Sequence, residues 1–145
     1  MRHAAVVLPG NGYGPDGPVL LLPTLALEQV GATAVRISYP DRPSAWTEEG
    51  MAEFTGEVAD RVRAALGDEP WGRVTFIAKS LGTAVLARFS ADIAGAAEVR
   101  AIWLTPVLGD AAMRAGLLAK AWPSLVAAGS ADPYHDAGAA RATHS

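Results

Sequence analysis

Apolar residues recur along this chain in two alternating patterns. Ala4–Leu8, Ala32–Ser38, Val74–Ala78, Val99–Leu104 and Ser124–Ala128 are short, nearly continuous apolar runs. Rich in β-branched residues and bounded by glycine, proline or charge, they predict strands buried on both faces. The segments between them favour helices. Over Thr47–Leu66 the residues Met51, Phe54, Val58 and Val62 form an apolar stripe, and Gly67 follows as a stop signal. Pro18–Val30 reads as a helix with proline at its first position and Gly31 just past its end, while Pro23 inside it predicts a kink or a late start. Leu81–Ile93 predicts a third helix, and Asp110 suits the cap of a fourth running to Ala121.

Strands that alternate with helices call for a parallel sheet covered on both faces. Right-handed crossovers leave few arrangements, and the commonest for five strands is a doubly wound sheet of order 2-1-3-4-5. In that order the chain reverses between the first and third strands, where such sheets bind ligands beyond the C-terminal strand ends. The two least ordinary loops flank that point: Gly10-Asn11-Gly12 after the first strand and Lys79-Ser80 after the third. No repeat or linker divides residues 1–145, which predicts a single domain.

Composition narrows the function without naming it. Half of the 145 residues are apolar and 19% are charged, as in globular domains. A net charge of −3 without a basic stripe argues against a nucleic-acid partner. With no cysteine there is no thiolate nucleophile and no cysteine-bound metal, and the three histidines show no ligand spacing, so neither metal nor cofactor is expected. The apolar run at Ala4–Leu8 is too short for a signal segment or a membrane span, which makes a cytoplasmic location without membrane contact the expectation.

Thr75–Thr83 carries the most chemistry. A β-branched run breaks into Ala78-Lys79-Ser80-Leu81-Gly82 and passes at once into a helical segment. This is the order of a nucleophile elbow, where small residues two before and two after a serine allow a tight strand-to-helix turn. Ser80 would then face the crevice, with the Leu81 N–H at a helix N-terminus available to an oxyanion. The plainer alternative is an ordinary Ser/Gly turn. Glycines around Asn11 would let that backbone approach a substrate carbonyl as a second oxyanion donor, or serve only to reverse the chain. Asp132, delivered by Gly129 at the end of the fifth strand, could orient a histidine or merely cap the turn before Pro133; Asp136 is a further candidate acid.

Two other motifs compete. Gly12-Tyr13-Gly14-Pro15-Asp16-Gly17 satisfies the dinucleotide-binding pattern, with Asp41 downstream for a ribose, although Pro15 lacks an N–H that a pyrophosphate would use. Lys79-Ser80 imitates the end of a phosphate-binding loop, but Arg73 and Ala78 stand where that loop needs glycine.

Taken together, the Pro9–Gly12 loop, the Lys79–Gly82 elbow and Gly129-Ser130-Ala131-Asp132-Pro133 resemble a small α/β-hydrolase of the dienelactone-hydrolase-like or esterase-like kind, over nearly the whole chain. The resemblance implies a serine hydrolase acting on a small ester or thioester. Ser80 would be nucleophile, Asp132 the acid, and the Asn11 and Leu81 N–H groups the oxyanion hole. In that family a helix, a strand and a histidine-bearing loop follow the acid, whereas 13 residues follow Asp132 here. The expectation is therefore a hydrolase lacking its last strand and helix. Its histidine would be His144, His135 or none, and in the last case the chain would be a non-catalytic binder. His3 precedes the first strand, at the wrong end of the sheet. An open edge strand would favour a homodimer.

Overall fold

The computed structural model describes residues 2–39 and 41–129. Its centre is a five-stranded, wholly parallel sheet of order β2-β1-β3-β4-β5. The strands are β1 (His3–Leu8), β2 (Thr33–Arg36), β3 (Arg73–Lys79), β4 (Glu98–Leu104) and β5 (Ser124–Ala127). They connect through α1 (Pro18–Gln29), α2 (Glu48–Leu66), α3 (Leu81–Arg88) and α4 (Ala111–Ala119). The doubly wound order expected from the alternation is the one observed.

Because side chains alternate across a strand, β1 and β3 feed two separate cores. Val6, Leu8, Phe76 and Trp103 face α2, α3 and α4 in the larger one. Ala5, Val7 and Ile77 meet Leu20 of α1 in the smaller one. Burial on both sides explains why these strands lack a polar alternation. Trp71 and Trp103 are buried, and Trp122 stacks on Phe76 with centroids 5.7 Å apart.

Local signals set the helix ends. Thr47 caps α2 by accepting from the Gly50 N–H at 3.1 Å, and Gly67 closes it at φ 69°. Asp110 caps α4 by accepting from the N–H groups of Ala112 and Met113 at 2.9 and 3.2 Å. The helix α1 starts at Pro18 in spite of Pro23, and Gly31 follows at φ 97°. The third helix is shorter than its apolar pattern predicts. It stops at Arg88 because Phe89 turns extended (φ −67°, ψ 149°) while staying buried, and Ile93 reaches the core from a turn. No helix among the described residues is long and apolar enough to cross a membrane.

Candidate functional site

The strand β3 ends in the core and must turn sharply to start α3, and Ser80 makes that turn with φ 48° and ψ −111°. A non-glycine residue there carries strain of roughly 1–3 kcal/mol. The turn is held from both sides. The Ser80 N–H donates to the Leu104 carbonyl at 3.1 Å, and the Ser80 carbonyl accepts from the Thr83 N–H at 2.9 Å and the Thr83 hydroxyl at 2.6 Å. Gly82 permits the tightness: a Cβ there would lie 2.3 Å from the Leu8 carbonyl oxygen. Gly10 brings its loop against the same turn, where a Cβ would lie 3.5 Å from both the Lys79 oxygen and the Ser80 Cβ.

This backbone decides what the hydroxyl does. Serine before a helix commonly spends its oxygen on capping, but Ser80 makes no side-chain cap bond. Its Oγ lies 2.9 Å from the Thr105 hydroxyl and 3.3 Å from Lys79 Nζ. An ammonium has only donors, so Oγ accepts from Lys79, and either hydroxyl can donate in the Ser80–Thr105 contact. Thr105 itself has φ 43°, an outlier for a β-branched residue. Two strained residues therefore meet through their hydroxyls.

Lys79 is held as well as placed. Its Nζ sits 4.4 Å from the centroid of the Tyr13 ring, a cation–π contact. Tyr13 is fixed by accepting from the Val19 N–H at 2.8 Å and by packing on Gly17, where a Cβ would lie 2.3 Å from the ring.

Ser80 lines a cleft of about 780 Å³ together with Asn11, Lys79, Leu81, Trp46 and Met51. Trp46, 62% exposed, forms part of its rim. Arg88 closes one side, paired with Glu48 at 2.7 Å and Asp110 at 3.1 Å and only 12% exposed. Burial is the largest single influence and lowers its pKa, but the two carboxylates together outweigh it and the pKa is raised. A smaller pocket of about 400 Å³ shares Asn11 and Leu81 with the cleft and extends to Tyr39, Asp41 and Arg42. The Leu81 and Asn11 N–H groups find no hydrogen-bond partner among the described residues.

The expected site residues Ser80, Leu81 and Asn11 thus share one cleft at the switch point of the sheet. Asp132, Asp136, His135 and His144 lie outside the described residues. His3 starts β1 at the opposite end of the sheet, with Nε2 2.8 Å from the Thr75 hydroxyl. Burial and then Arg73 lower its pKa. The dinucleotide motif does not open a phosphate site. At the start of α1, Pro18 has no N–H, the Val19 N–H goes to Tyr13, and Leu20 and Leu21 bond back to Gly17. Asp16 of the motif pairs with Arg36 at 3.0 Å. Among the described residues no group of histidine and acidic side chains could hold a metal ion.

Sequence reasoning left out Lys79 and Thr105 as members of the site. Lys79 was visible as the residue beside the serine. Thr105 follows from the strand order, since β3 and β4 pair with Lys79 opposite Leu104 and so bring residue 105 beside residue 80. No family model, curated protein or solved structure matches this chain.

Proposed function

We propose that the protein is a serine hydrolase of α/β-hydrolase type, acting on a small ester or thioester by acyl transfer. One observation carries the reading. The backbone at Ser80 withholds its hydroxyl from helix capping and leaves it in a cleft that Asn11 and Leu81 also line, whose N–H groups have no partner among the described residues. Ser80 attacks the substrate carbonyl, and the oxyanion settles at the Leu81 N–H, where the α3 dipole adds to the attraction, and at the Asn11 N–H. Water then releases the acyl group.

In this reading Asp132 orients an imidazole, that of His135 or His144, which takes the Ser80 proton. The large cleft, with Trp46, Met51, Leu81, Ala84 and Val107 among its walls, suits an apolar acyl group. The test is intact-mass detection of fluorophosphonate labelling, with Ser80→Ala as control. A single adduct lost in the variant supports an activated serine. A folded protein that takes no label favours the second reading, a non-catalytic binder using the same crevice.

A further inference from the structure

Oxyanion holes are built mainly from backbone N–H groups, yet the hydroxyl here also has a side-chain cation at its shoulder. Lys79 Nζ is 3.3 Å from Ser80 Oγ, lines the same cleft and is steadied from behind by the Tyr13 ring at 4.4 Å. The other cation of the cleft, Arg88, has two carboxylates within 3.1 Å, whereas no carboxylate among the described residues lies within salt-bridge reach of Lys79. One of its three donors meets Oγ, and the others remain for a ligand. When Oγ bonds to a carbonyl carbon, that carbonyl's oxygen sits one bond further on, within reach of a donor 3.3 Å from Oγ.

We propose that Lys79 is a catalytic residue, a third and charged donor to the oxyanion beside the Asn11 and Leu81 N–H groups. The inference rests on the hydrolase reading of Ser80. In the step it serves, the Ser80 proton passes to the imidazole base, the Oγ–carbon bond forms, and the carbonyl π pair moves onto oxygen. Lys79 keeps its protons and donates a hydrogen bond to that oxygen. As the pair returns, the bond to the leaving alcohol or thiol breaks and the leaving group takes the proton from the imidazolium. Water repeats the sequence on the acyl-enzyme. A cation placed for the transition state lowers the barrier, while one placed for substrate binding alone would act on KM.

The experiment measures p-nitrophenyl butyrate turnover and affinity for a trifluoromethyl ketone, which forms a tetrahedral oxyanion on serine, in wild type, Lys79→Met and Lys79→Arg. Removing one oxyanion donor typically lowers kcat about 100-fold. The expected result for Lys79→Met is a fall of that order in kcat with KM changed less than about threefold, and a parallel loss of ketone affinity. Lys79→Arg should retain part of both. If Lys79→Met does not fold, Lys79→Gln takes its place. Unchanged kcat and ketone affinity in a folded variant overturn the proposal, and so does a rise in KM alone. A wild type that neither turns over ester nor takes fluorophosphonate overturns the hydrolase reading and this inference with it. A labelled wild type with an indifferent Lys79 overturns only this inference.

Discussion

At the scale of single residues, strain marks the site more sharply than composition does. Ser80 and Thr105 are the non-glycine residues with positive φ among the described ones, at 48° and 43°, and their hydroxyls touch. A side chain at such angles crowds its own backbone, and glycine does not. The comparison that isolates this effect is between two variants that both lack the hydroxyl. Ser80→Gly should be more stable than Ser80→Ala by about 1 kcal/mol, and Thr105→Gly more stable than Thr105→Ala by a similar amount. Chemical denaturation of the four proteins checks it. Equal stabilities within each pair would mean that the turns hold no strain.

At the scale of elements, the elbow depends on how closely α3 approaches β1. Gly82→Ala would drive a methyl group to 2.3 Å from the Leu8 carbonyl oxygen, a backbone atom that cannot swing aside. The expected cost is about 2 kcal/mol or more, and, on the proposed hydrolase reading, fluorophosphonate labelling is lost as the turn shifts. Gly56→Ala is the counterpart with the opposite sign. It lies exposed inside α2, and a Cβ there meets nothing within 4 Å. Relief of glycine's entropy should raise stability by about 0.5–1 kcal/mol. Thermal melts of both variants test the pair. The same contrast shows what sequence reading can reach. Strands buried on two faces must be apolar throughout, which made β1 and β3 legible from Ala4–Leu8 and Val74–Ala78, whereas the edge strands β2 and β5, expected to be buried likewise, are exposed or only half-buried. The end of α3 was not legible, because Phe89 and Ile93 keep the apolar pattern after the helix has stopped. Ser80 was legible from its neighbours in sequence. The hydroxyl of Thr105, 25 positions away, belongs to the site only through the pairing of β3 with β4.

At the scale of the whole molecule, the wholly or partly buried titrating groups together shape stability against pH. Lys120 is 7% exposed, donates to the Ala87 carbonyl near the end of α3 and lies 5.8 Å from the Trp122 ring. Burial lowers its pKa to about 8, below the 10.5 of an unfolded lysine. Between those values the unfolded chain holds the proton more tightly, so stability rises with pH across that interval. His3 acts in the same direction at lower pH. Its lowered pKa leaves the unfolded state with more bound protons just below 6.5, so acidification through that range weakens the fold. Tyr39, desolvated and donating to the Pro9 carbonyl at 2.7 Å, has its pKa raised above 10, and above that pH the unfolded chain loses a proton that the folded one keeps. These three groups make stability rise with pH just below 6.5 and again between about 8 and 10.5, and Tyr39 opposes that rise above 10. Replacing the buried cation separates its part from the others. Lys120→Met should unfold at higher denaturant than wild type at pH 7, by on the order of 1 kcal/mol after losing the Ala87 hydrogen bond. Its advantage should shrink as pH approaches 10, where wild type also holds a neutral side chain. Urea titrations at pH 7 and pH 10 decide the matter. A Lys120→Met advantage that is the same at both values would mean that the lysine titrates as it does in water.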